Sequence, residues 1–173
     1  MTALFRFFLE LTLLRRAPQD LPGSPWLMQF LILLNLLLNT LLGLAVFASP
    51  LKSLGAAALE LVLSAALLFA ALQVRGKAAR WLQAYTGLLG IGAVLGLFGL
   101  GYRLLAQVVG ISALADILDL VVFFWNILAM GHVLRHALDI ALPLAIVIVF
   151  AYTIFLFGLV VQWLAPELTA SSP

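Results

Sequence analysis

Residues 26–47 read WLMQFLILLNLLLNTLLGLAVF, twenty-two positions without one Asp, Glu, Lys or Arg. At 1.5 Å per residue a helix of that length covers roughly 30 Å, the thickness of a bilayer's hydrocarbon core. Four further runs of the same kind follow, over about 54–74, 81–105, 112–133 and 141–164. The spacing predicts an all-α, polytopic membrane bundle of five transmembrane helices. Composition agrees: 65% hydrophobic and 9% charged residues, with a mean hydropathy of +1.22, leave too little polar surface for a water-soluble globule. The five runs use most of the 173 residues, so residues 1–173 are expected to form a single membrane domain.

Upstream of the first span, LFRFFLELTLLRR is too short to cross a bilayer. On a helical wheel Leu4, Phe7, Phe8, Leu11 and Leu14 share one face, with Arg6 and Glu10 opposite. Residues 1–16 are therefore expected to form an amphipathic helix lying in the headgroup plane, with Arg15 and Arg16 meeting anionic lipid. The charges within this stretch, and the lack of a small-residue cleavage site, argue against a cleavable signal, so the mature protein is expected to keep it. Residues 17–25 carry Pro18, Pro22 and Pro25, which turn the chain toward the bilayer, and Ser24 can cap the helix that follows. A polar tail, 165–173, is expected after Pro166 breaks the last span.

The nine basic residues fall almost entirely between the runs. With the N-terminus in the cytoplasm, Arg6, Arg15, Arg16, Arg75, Lys77, Arg80 and Arg135 lie inside, and Lys52 and Arg103 outside. The positive-inside bias thus predicts a cytoplasmic N-terminus and an external C-terminus. Trp26, Trp81 and Trp163 fall at predicted span ends, where indole prefers the interface. The Leu/Ala/Gly-rich, Arg-over-Lys composition suggests a bacterial inner membrane. Cysteine is absent, which excludes disulfides, iron–sulfur ligation and thiolate zinc sites. The basic residues form no patch suited to nucleic acid, and no cofactor motif is legible.

Ionisable residues inside spans are expensive and ask for a reason. Asn39, Glu60, Arg103, Asp116 and Asp119 are predicted to share one layer in the outer half of the bundle. Asp116, Asp119 and Asn126 lie within about 80° of one another at 100° per residue, so one stripe of span four could face the interior and meet Arg103. The plainer reading is an Arg103–aspartate pair with the other aspartate at interfacial water; the alternative is a proton or cation pathway. A second cluster, His132, Arg135, His136 and Asp139, sits at the cytoplasmic end of span four. Its i, i+4, i+7 spacing aligns His132, His136 and Asp139, but Arg135 would repel a metal ion and no third histidine exists. An interfacial, lipid-phosphate-facing role is expected, with no metal and no cofactor. Span three carries Gly92 and Gly96 as GxxxG, continued by Gly99, and this face is expected to pack within the bundle. Asn35 and Asn39, one turn apart, read as interhelical hydrogen-bond glue.

The amphipathic first helix, the proline-rich approach, the five spans and WNILAMGHVLRHALDIALPLAIVIVFAY over 125–152 together resemble the Yip family of small membrane proteins that interact with Rab GTPases, and its bacterial relatives. The local likeness rests on Trp125, the basic turn at His132, Arg135 and His136, and an Ala/Pro-containing last span. The long cytoplasmic N-terminal region of the eukaryotic members has no counterpart here, so GTPase binding is not carried over. The resemblance implies a membrane-organising or partner-binding protein without catalysis. From the residues themselves the expected function is non-enzymatic: scaffolding or accessory binding, with the lipid bilayer and other membrane proteins as partners and no oligomeric state specified. A small proton- or cation-coupled transporter using Glu60, Asp116 and Asp119 is the alternative. A lipid-modifying enzyme is a third class, opposed by the lack of any histidine at the depth of these carboxylates.

Overall fold

Helix-stopping chemistry divides the described residues into six α-helices. The computed structural model describes residues 2–47 and 49–164; the expected polar tail, 165–173, and the Trp163 side chain lie outside the described residues. The helices are α1 (Thr2–Thr12), α2 (Pro25–Phe47), α3 (Pro50–Val74), α4 (Trp81–Val109), α5 (Ser112–Leu138) and α6 (Leu142–Leu164). Five of them, α2 to α6, are long and apolar enough to cross a membrane.

Local signals explain most ends. The Leu27 amide donates to the Ser24 hydroxyl at 3.3 Å, capping α2. Ser49 caps α3, with Pro50 in the first turn where its missing N–H costs nothing. Four ends close through a left-handed residue: Leu14 (φ 62°), Gly76 (φ 66°), Gly110 (φ 77°) and Asp139 (φ 53°). The next residue's amide reaches back five positions at each: Arg15 to Glu10, Lys77 to Leu72, Ile111 to Ala106 and Ile140 to Arg135.

These caps shift several expected bounds. The first helix stops at Thr12 rather than 16, because the chain turns left-handed at Leu14. α3 starts four residues earlier than expected, at its Ser49–Pro50 cap. α4 and α5 run on to Val109 and Leu138, since Arg103, His132 and Arg135 are accommodated as helical residues and the helices end only at the next left-handed caps.

α4 is the central element, in contact with α1, α2 and α5. Around it α3 packs on α2 and α6 on α5, while α3 and α6 meet only lightly, so the five long helices form a ring closed by one thin seam. Small residues set the approaches. The Gly92–Gly96–Gly99 face of α4 meets Asn35, Leu38 and Leu42 of α2, so it packs within the bundle. Gly131 lets α5 approach Ile146 of α6, where an added Cβ would lie 3.3 Å from the Ile146 backbone. A second pair, Gly87 and Gly90, leaves room for Leu11 and Phe8 of α1. Phe8 and Leu11 are consequently buried in the core, whereas Leu4, Phe5 and Leu13 are exposed. Large apolar side chains such as Phe30, Leu33, Val62 and Phe155 cover the outside of the ring, the inverse of a water-soluble surface.

Candidate functional site

Between the helices lies a half-open cavity of about 1040 Å³ whose wall includes Asn39, Glu60, Arg103, Asp116 and Asp119, all five residues of the first predicted cluster. Four of them form two pairs, Asn39 with Glu60 and Arg103 with Asp119, and Asp116 belongs to neither. Because α3 begins at Pro50, Glu60 lies ten residues along it, roughly 15 Å at 1.5 Å per residue, deeper than a start at 54 implied.

At the deeper seat, Asn39 Nδ2 donates to Glu60 Oε2 at 3.2 Å, joining α2 to α3. The Tyr152 hydroxyl of α6 donates to the Glu60 carbonyl at 3.4 Å across the thin seam. The Tyr85 hydroxyl donates to the Leu61 carbonyl at 2.8 Å, and Ser64 donates to the same oxygen at 3.1 Å. Both tyrosine hydroxyls approach the Ser64 side chain. Tyr85 is held by stacking on Trp81, ring centroids 5.6 Å apart, and the Trp81 indole donates to the Ala65 carbonyl at 3.2 Å.

The second seat joins α4 to α5. Arg103 grips Asp119 with both Nε and Nη2, at 2.9 and 2.8 Å, and the Tyr102 hydroxyl donates to the same carboxylate. Such a fork neutralises Asp119 and consumes the guanidinium's directional donors on that edge. Asp116, one turn earlier on α5, is exposed and has no ion-pair partner among the described residues. The cavity wall therefore carries three carboxyl groups and one guanidinium.

The second predicted cluster separates. His132 is buried and its Nε2 donates to the Arg16 carbonyl at 2.9 Å, tying α5 to the segment after α1. His136 packs edge-on against it, centroids 4.7 Å apart. Asp139 leaves their helical face, because α5 ends at Leu138 and Asp139 is left-handed. It pairs instead with Lys77 and, at 3.0 Å, with Arg80. The Lys77 ammonium, and Arg80 behind it, hold the Asp139 carboxyl below its usual range. Arg75 and Lys77 also donate to the Leu138 carbonyl, and Arg80 to that of His136. Three cations thus cover the orphan carbonyls at the negative end of α5. Arg135, half-buried, stays on α5 one position before His136. Among the described residues no three His, Cys, Asp or Glu side chains converge as a metal site.

Around α1, the Trp125 indole donates to the Thr12 carbonyl at 3.0 Å and Gln19 donates to the His136 carbonyl at 3.0 Å. Arg6, then Arg16, hold the Glu10 carboxyl below its usual range.

Sequence reasoning missed the tyrosines. The chain has three, and all of them, Tyr85, Tyr102 and Tyr152, line the cavity. Each sits inside an apolar run, and a phenol packed among apolar side chains needs a partner for its hydroxyl; that was the available signal.

The features define a class: an all-helical bundle with five helices long and apolar enough to cross a membrane, built around a cavity with two polar seats. Comparison with protein-family models, with curated proteins and with solved structures finds no match.

Proposed function

We propose that this chain is a non-enzymatic integral membrane protein that acts by binding, and that its cavity receives an amphipathic molecule from the bilayer. One observation carries the reading: a cavity of about 1040 Å³ between the spans, with polar groups from all five long helices meeting on its wall. Ligand sites commonly combine an apolar lining with a few convergent polar groups. The thin α3–α6 seam is the natural side opening. The seven basic residues at the α1 end, against two at the other, support a cytoplasmic N-terminus, and the Arg-over-Lys composition supports a bacterial inner membrane. There α1 rests shallowly at the interface: Phe8 and Leu11 anchor it to α4, while Leu4, Phe5 and Leu13 face lipid tails and Arg6 faces headgroups. The Yip-like pattern points the same way, to membrane organisation and to other membrane proteins as partners.

Proton- or cation-coupled transport is a second reading, favoured by the presence of Glu60, Asp116 and Asp119 on one cavity wall.

A photoreactive residue at Met130, on the cavity wall, tests the binding reading against one at Leu33, which is 66% exposed on the outer surface. When detergent exchange precedes irradiation, lipid-sized adducts should still form at Met130 and no longer at Leu33. Parallel loss at both positions would refute an internal site.

A further inference from the structure

We propose that the Glu60 seat binds the charged head of a lipophilic organic cation, whose apolar body fills the rest of the cavity. The inference rests on the binding reading above and names the ligand's chemistry.

Glu60 is the element without a counter-charge. Among the described residues its side chain has a single hydrogen-bond partner, the Asn39 amide, and no basic group is paired with it. Arg103, on the same wall, is committed to Asp119 through two bonds. A carboxyl group within an apolar bundle either keeps its proton or is held in its charged form by a positive group. The fold supplies none at this seat, so a ligand that brings its own positive charge gains what the protein lacks.

The surroundings favour an organic cation over an inorganic one. Two tyrosines, Tyr85 and Tyr152, border the seat from α4 and α6 with their hydroxyls drawn together at Ser64. Aromatic rings stabilise alkylammonium and similar cations through their negative faces. A metal ion such as Ca²⁺ or Mg²⁺ takes six or more oxygen ligands, and one carboxylate with one amide falls short. Anionic headgroups are disfavoured by the wall's excess of carboxyl groups, Glu60, Asp116 and Asp119 against Arg103. Beside these polar groups the wall carries aliphatic side chains, among them Leu61, Leu89 and Leu95. The volume of about 1040 Å³ lies at the upper end of the roughly 300–1,000 Å³ typical of sites for drug-sized molecules.

The test uses the full chain in nanodiscs of zwitterionic lipid, with empty nanodiscs as the baseline. Radiolabelled tetraphenylphosphonium and its anionic isostere tetraphenylborate are measured by equilibrium dialysis. Saturable tetraphenylphosphonium binding is expected, weakened at least tenfold by Glu60→Gln. Glu10→Gln, which removes a charge from the surface of α1, should leave it unchanged. Should Glu60→Gln fail to give monodisperse, helical protein, Tyr152→Leu against Tyr152→Phe decides: loss of the ring should weaken binding at least threefold more than loss of the hydroxyl. Equal affinity in the wild type and Glu60→Gln, or equal effects of the two Tyr152 variants, would overturn the proposal. Saturable tetraphenylborate binding without tetraphenylphosphonium binding would overturn the cationic head while leaving an internal binding site. If neither probe binds and Met130 gives no retained adduct, the binding reading falls as well.

Discussion

Substituting Gly92 by Ala should disturb the bundle through one side chain, Asn35. Asn35 is buried, and its amide donates at 2.8 Å both to Leu31 one turn back and across the interface to Leu89 of α4. A Cβ on Gly92 would overlap the Asn35 amide oxygen, so the amide must rotate and both bonds are lost. Polar contacts between membrane helices are worth about 0.6 kcal/mol on average and up to about 1.7. Two such bonds give an expected destabilisation of about 1–3 kcal/mol for Gly92→Ala. Asn35→Ala should cost about as much through the same bonds. In the double variant the new methyl enters space vacated by the amide, and the combined loss should hardly exceed that of Asn35→Ala alone. The coupling is then about 1–3 kcal/mol, well above the few tenths expected of independent sites. Reversible unfolding in mixed SDS micelles, followed by far-UV circular dichroism, measures the cycle. Additive single effects would show that the Gly92 face is not held open for Asn35.

The ion pairs at the end of α5 predict a pH dependence. Lys77 and Arg80 depress the Asp139 carboxyl below its ordinary value of 3.8, so their stabilisation is complete above that value and is lost as pH falls through the lower folded one. Thermal unfolding of the wild type and Asp139→Asn should therefore differ by a constant amount from pH 5 to 7 and converge below about pH 3.8; a difference that persists in stronger acid would contradict the pairing. Leu14→Gly should hold the end of α1 more stably than Leu14→Ala by about 1–2 kcal/mol, because both give up the packing of Leu14 on the core but only glycine takes the left-handed turn (φ 62°) without strain. Slower proteolysis after Arg15 and Arg16 in the glycine variant than in the alanine one is the readout, and faster cleavage would count against that turn.

Hydropathy alone was enough to mark the five long helices, because whether a twenty-residue run suits hydrocarbon depends on that run and its solvent, not on its neighbours. Helix ends were legible where a residue type does the work locally, as at Ser24 and Gly110. Leu14 was not, since leucine gives no sign of a left-handed turn, and aspartate, though it enters that region more readily than most residues, gives only a weak sign at 139. The Gly92, Gly96 and Gly99 face was readable as a packing surface, and its partner α2 was not.

What only the tertiary structure decided is which faces meet. The apolar stripe of α1 fits lipid or protein equally well by composition; the space at Gly87 and Gly90 turns Phe8 and Leu11 toward α4. Intramembrane cost singled out Glu60, Arg103 and Asp119 from the sequence, but pairing Arg103 with Asp119 while leaving Glu60 to Asn39 depends on helix rotation and depth. The three tyrosines converge on the same cavity for that reason too. One-dimensional pattern records the solvent each residue prefers, and the cavity exists only in the distances between helices far apart in the chain.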